Sequence, residues 1–129
     1  MGNGLYIMCV TGTREKLQMA AMTAAVKAAA GDPVSVFLSM NALPFFIRGH
    51  SGTPAVEGDV GVLLGEKNVP PFKQLFSQAA ELGEAKLLPC SMAMDILGVK
   101  QEHLDSDLGN ATGLTRFLSE AENGQLLTF

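Results

Sequence analysis

The residue of this chain best placed to do chemistry is Cys90. In Leu87-Leu88-Pro89-Cys90-Ser91-Met92-Ala93-Met94-Asp95, an apolar strand runs out at a proline and delivers the cysteine to the start of a helix. Backbone N–H groups at a helix N-terminus lack partners and carry the positive end of the helix dipole, so they favour a thiolate, the sulfur nucleophile. The competing reading is a small buried hydrophobe, the common fate of a free cysteine. Asp95 suits the dipole of the same helix but opposes a thiolate nearby. The second cysteine, Cys9, lies inside an apolar run between Met8 and Val10 and reads as core. The two form no CxxC pair, which argues against a zinc knuckle and a thioredoxin-type dithiol, and no disulfide between them is expected.

Other residues are possible accessories to Cys90. His103 and His50 could shuttle protons for a thiol, and Arg48 and Lys100 could hold an anionic sulfur species, although each is equally an ordinary solvated side chain. Met19, Met22, Met92 and Met94 read as core filler rather than metal ligands. Gly58-Asp59-Val60-Gly61 lacks the spacing and context of a dinucleotide fingerprint, and neither a P-loop nor a GxSxG elbow is present. Thr11-Gly12-Thr13 reads as an ordinary helix cap.

The elements that must position Cys90 follow from periodicity. Leu5 to Val10 is a continuous apolar run, as in a strand buried on both faces of a parallel sheet. Thr13 can cap an alanine-rich helix running to about Ala30, which stops at Gly31-Asp32-Pro33. Val34 to Ser39 is the second strand, completing a right-handed βαβ unit. Asn41 to Arg48 can form a short helix, and its Phe45-Phe46-Ile47 cluster is too compact to bury all three side chains on one helical face. Gly49 to Asn68 is glycine-rich and aperiodic, with Val60 to Leu64 able either to pair as a strand or to cover something. Pro70-Pro71 opens a helix that Gly83 closes, and Ala85 to Pro89 is the strand ending at Cys90. A helix from about Thr112 to Glu122 and a terminal strand, Leu126 to Phe129, complete the chain. Ligands of parallel α/β sheets bind outside the carboxyl ends of the strands, which places Cys90 in a cleft with the loop from Asn41 as its cover.

Composition narrows the function classes. The chain has 129 residues, enough for one domain spanning 1–129 with a core that needs no staple. Its net charge of −4 and the lack of a Lys/Arg cluster argue against direct nucleic-acid binding. The apolar stretch from Met19 to Ala30 is too short to span a bilayer, so no membrane association is expected. Met1 to Gly4 shows no basic segment ahead of an apolar run, and with reduced thiols the expected address is the cytoplasm.

The Cys-x-Met-x-Met-Asp string at 90–95, followed by Gly98-Val99, together with the first strand, the alanine-rich helix, Val34-Ser35-Val36-Phe37 and the C-terminal Gly113 to Phe129, resembles the DsrE/DsrF-like sulfur-relay family, in the branch often labelled peroxiredoxin-like. The middle loop, Gly49 to Asn68, matches poorly. The resemblance implies a three-layer α/β/α domain of flavodoxin-like general type, with a mainly parallel sheet of about five strands. It implies a sulfur carrier or sulfurtransferase: Cys90 accepts sulfane sulfur as a persulfide from a donor protein and passes it to an acceptor protein, with no cofactor. Relatives also form homo-oligomers. The alternative is a non-catalytic oligomeric binding module with Cys90 as a sensory or incidental thiol. A thiol peroxidase is disfavoured, because no second cysteine is placed to resolve a sulfenic acid.

Overall fold

The sheet is built from four parallel strands in the order β3-β2-β1-β4, where β1 is Gly4–Cys9, β2 is Val34–Leu38, β3 is Lys86–Pro89 and β4 is Gly124–Thr128. The structure, a computed structural model, describes residues 3–129, so the Met1-Gly2 part of the N-terminal reading lies outside it. β1 occupies a central position, pairing Ile7 with Val36 on one side and with Leu127 on the other. Strand pleating sends alternate side chains to opposite faces. Tyr6 and Phe37 meet Phe117 on one face, Phe37 stacking on it at 4.9 Å and Tyr6 approaching edge-on at 6.0 Å. Leu5, Ile7 and Cys9 therefore belong to the other.

That second face is covered by α1, Arg14–Ala29, and α3, Phe72–Gly83, which pack closely on each other. The alanine content of α1 has its purpose here: Ala20, Ala21, Ala24 and Ala28 are all buried, so the helices approach without long side chains between them. Gly83, expected as a helix terminator, is the last residue of α3 and has a further role. The left-handed residue that caps α3 is Glu84, with φ 57°, whereas a Cβ at Gly83 would collide with the Ala28 side chain. α4, Ser91–Leu97, follows β3, and α5, Leu114–Glu120, carries Phe117 over the Phe37 face. Among the described residues no helix is long and apolar enough to cross a membrane.

The expected fifth strand is absent from the described sheet. Its candidate, Val60 to Leu64, lies in α2, Asp59–Glu66. Two glycines one helical turn apart let this helix lie against charged side chains of α1: a Cβ at Gly61 would run into the Glu15 carboxylate, and one at Gly65 into the Arg14 guanidinium. Glu15 accepts hydrogen bonds from the amides of Glu57 at 2.9 Å and Gly58 at 2.8 Å, and Arg14 donates to the Gly61 carbonyl at 3.1 Å. Thr13 holds the N-cap position of α1, as expected, but its hydroxyl donates to Glu57 rather than accepting a first-turn amide, and Glu57 also pairs with Lys16 at 3.1 Å. The amides of Glu57 and Gly58 hold the Glu15 carboxyl below the usual carboxylate range, and the Thr13 hydroxyl, followed by Lys16, does the same for Glu57. Side-chain anchoring of this kind has no periodicity, which is why the stretch reads as loop.

The Phe45-Phe46-Ile47 cluster is also resolved within the chain. Its two phenylalanines close a 3-10 turn, Met40–Phe46, with Ile47 just after it; Phe46 is buried with Phe76 at 5.6 Å while Phe45 meets Phe72 edge-on at 6.1 Å. The exposed large apolar side chains lie elsewhere. Met19, Met22 and Val26 form a stripe on α1, and Met92 and Ile96 lie one turn apart on α4, so of the four methionines expected in the core only Met94 is buried.

Candidate functional site

Cys90 is the N-cap of α4, with extended backbone (φ −72°, ψ 122°), and its Sγ accepts a hydrogen bond from the Ala93 amide at 3.5 Å. A sulfur thus stands where Ser or Asp usually caps a helix, and one of the four orphan amides of the first turn points at it. The local fold follows from the sequence. Pro89 ends β3 at a position where an edge strand tolerates the missing donor. The Cys90 amide then donates to the Leu38 carbonyl at 2.9 Å, and its carbonyl accepts from Met94 at 3.0 Å, turning strand into helix.

The residue is 5% exposed. Of the loop after Asn41, expected as its cover, Asn41 itself donates to the Val10 carbonyl at 3.2 Å, while its far end pairs with the segment after α4, Asp105 donating to the Phe46 carbonyl at 2.8 Å and Ile47 bridging to Leu104. Alongside the cysteine runs the segment from Leu108 to Thr112, which continues the sheet beyond the outer edge of β3. Leu87 bridges to Leu108 and Cys90 to Thr112, with Thr112 donating to the Pro89 carbonyl at 2.9 Å and Ser91 donating to the Thr112 carbonyl at 3.1 Å. Gln101 clamps this segment from outside, its Nε2 donating to the Gly109 carbonyl at 2.7 Å and its Oε1 accepting from the Ala111 amide at 3.2 Å. Nothing in its surroundings in sequence marks Gln101 in advance; the signal is the pair of backbone groups it satisfies at once.

The proposed accessories gather away from the sulfur. His103 accepts the Lys100 amide on Nδ1 at 2.8 Å, and its carbonyl takes the Arg48 amide at 2.8 Å, so His103, Lys100 and Arg48 meet just beyond the C-terminal end of α4. Seven helical residues at about 1.5 Å each separate that end from Cys90. His50 packs edge-on against Phe45 at 5.1 Å and lines a separate cavity. No hydrogen bond among the described residues links any of the four to the Cys90 sulfur. Asp95 is exposed on α4, and its carbonyl accepts the Gly98 amide at the helix end.

Cys9 is fully buried, and burial pushes its thiol up to about 12. Both cysteines are free, and β2 lies between their strands. Adjacent strands are about 4.8 Å apart, so two intervals exceed the span of about 7 Å that a disulfide tolerates between Cα atoms. Among the described residues no three His, Cys, Asp or Glu side chains come together to hold a metal.

A parallel α/β sheet flanked by helices, with a cysteine at the carboxyl end of a strand and capping the next helix, defines a class of flavodoxin-like proteins with a thiol at the carboxyl end of the sheet. The comparisons with known proteins narrow this class. The DsrE/DsrF/DrsH-like family matches residues 8–129, and the chain belongs to that family. A curated relative, the uncharacterized protein YrkE of Bacillus subtilis (strain 168), is 36% identical over 67 residues, covering 52% of this chain and 41% of that protein. The chain therefore spans less than half of this relative's length. Two solved structures share the fold. The MTH1491 protein of unknown function from Methanobacterium thermoautotrophicum superposes with a TM-score of 0.64 at 11% identity over 98% of both chains, and the ychN protein of E. coli with 0.61 at 13% identity over the whole of both.

Proposed function

We propose that the protein is a cytoplasmic sulfur carrier or sulfurtransferase whose acceptor is Cys90. The observation that carries this reading is the Cys90 sulfur capping α4 with the Ala93 amide directed at it, in a chain of the DsrE/DsrF/DrsH-like family. The chemistry is thiol exchange. The Cys90 thiolate attacks the outer sulfur of a donor persulfide, a new S–S bond forms on Cys90, the donor S–S bond breaks and the donor departs as its thiolate. Transfer onward is the same step with Cys90 as leaving group. The sulfane sulfur is neither oxidised nor reduced overall, so no external oxidant or cofactor enters.

Donor and acceptor are proteins in this reading. Met92 and Ile96, exposed one turn apart on the cysteine helix, offer them an apolar contact surface beside the sulfur. Self-association belongs to the same proposal and uses another face, where Met19, Met22 and Val26 of α1 border the outer strand β4. Cyanolysis tests the carrier role. After exposure to a low-molecular-weight persulfide and desalting, the protein should release thiocyanate on treatment with cyanide, and Cys90→Ser should release none. Equal release from both would assign the sulfur elsewhere, and no release from either would favour a binding module with an incidental thiol.

A further inference from the structure

A cavity of about 410 Å³ opens at the carboxyl edge of the sheet, between the start of α1, the end of the 3-10 turn, the loop at 50–54, α2 and the start of α3. Its lining is chemically one-sided. Arg14, His50, Lys67 and Lys73 face it, and no Asp or Glu side chain lines it. Lys73 is engaged by Asp105 and the Phe45 carbonyl, and Arg14 by the Gly61 carbonyl alone, while neither Arg14 nor Lys67 has an ion-pair partner among the described residues. In a chain of net charge −4, a concave site lined by one sign of charge concentrates positive potential locally.

Two further features point the same way. The twelve-residue α3 begins at this cavity with Pro71 as its N-cap, which supplies no side-chain acceptor for the first-turn amides. Phe45 and Phe72, set edge-on to each other at 6.1 Å, supply an apolar part of the lining, with His50 packed edge-on against Phe45 at 5.1 Å. Buried Gln18 donates to the Pro70 carbonyl at 2.9 Å, fixing the chain where it enters α3. The glycine-rich stretch before α2 thereby gains a purpose: anchored by Glu15 and Thr13, it lines one side of the cavity with Gly52, Thr53 and Pro54.

We propose that this cavity binds a small ligand with a flat apolar body and one anionic group, the body against Phe45 and Phe72 and the phosphate or carboxylate facing Arg14, His50 and Lys67. The volume suits a molecule at the small end of ordinary ligand sites. The uncapped amides of α3 and the three side chains supply more donors than a surface charge pair would. The site is separate from Cys90, which does not line it.

Titration followed by amide NMR tests the proposal, with phenyl phosphate and phenylacetate as probes and inorganic phosphate and benzyl alcohol as partial ligands. One of the two aryl anions should shift the amides of residues 50–54 and 72–74 saturably, at least about tenfold more tightly than either partial ligand. Which aryl anion wins identifies the anionic group. Lys67→Glu, at the exposed end of α2, should weaken that binding by about tenfold or more, as should His50→Gln, whereas Lys86→Glu on β3 and Cys90→Ser should leave it unchanged. Absence of saturable shifts with both aryl anions at about 10 mM would overturn the proposal. Equal affinity for inorganic phosphate, or binding indifferent to both Lys67→Glu and His50→Gln, would overturn it as well. Because Cys90→Ser is a control, failure here leaves the sulfur-carrier reading standing, and failure of that reading leaves this site standing.

Discussion

At the scale of single residues, the two cysteines show how position divides one side chain into two behaviours. Cys9 is held among apolar neighbours where a thiolate has no solvation, and its thiol is pushed from 9.0 up to about 12. The folded chain therefore keeps a proton that the unfolded chain releases near pH 9, so the stabilisation is complete below that pH and is lost as pH rises toward 12. The slope is on the order of 1.4 kcal/mol per pH unit within that window. Urea unfolding at about pH 8 and about pH 10 should show the native protein losing about 1 kcal/mol more than Cys9→Ala. Parallel losses would mean that Cys9 is reached by solvent. The core role of Cys9 and the turn at Cys90 were legible in the sequence, because both follow from apolar runs and a proline. The places of His103, Arg48 and Lys100 were not, because a polar residue in a turn carries no periodic signal of the backbone group it will meet.

At the scale of elements, the segment beside β3 decides how reachable the cysteine is. Leu108 to Thr112 lies along the strand edge, tied by the Thr112 and Ser91 backbone bonds and clamped by Gln101. Each such hydrogen bond contributes about 1 kcal/mol net, so removing the two bonds of the clamp makes local opening about thirtyfold more frequent. Alkylation of Cys90 by iodoacetamide, followed in a Cys9→Ala background, should speed up by about that factor in Gln101→Ala. An unchanged rate would show that reagent enters without this segment moving. The strands and α1 were readable because their apolar patterns are dictated by the core. α2 was not, since its seat depends on Gly61 and Gly65 making room for Glu15 and Arg14, contacts that exist only once α1 is in place. Gly83 does end α3 as read, but its second role was hidden: a glycine that admits a neighbouring helix looks in sequence like one that only ends its own.

At the scale of the whole molecule, the sheet has one guarded and one open side. The β3 edge is covered by 108–112, whereas among the described residues no strand or bridge pairs with the outer edge of β4, which is flanked by a groove lined in part by Leu5, Met19, Met22, Val26 and Leu127. Val26 is 71% exposed and Met19 52%, an unusual expense of apolar surface for a helix that otherwise packs its alanines inward. Light scattering coupled to size exclusion at micromolar concentration should therefore find an oligomer, and Met22→Glu should convert it to monomer. A monomeric native protein would contradict self-association through this face. The sequence pointed to assembly from the wrong cluster: Phe45, Phe46 and Ile47 pack against the chain's own core, which becomes visible only when α3 brings Phe72 and Phe76 to them.

That Cys90 takes and releases sulfane sulfur is open to intact mass measurement after incubation with a persulfurated donor and then with a second thiol protein. The native chain and Cys9→Ser should gain the mass of one sulfur and lose it again to the acceptor, while Cys90→Ser should gain none. Sulfur loading that persists in Cys90→Ser, or a native chain that never gains mass, would contradict the account.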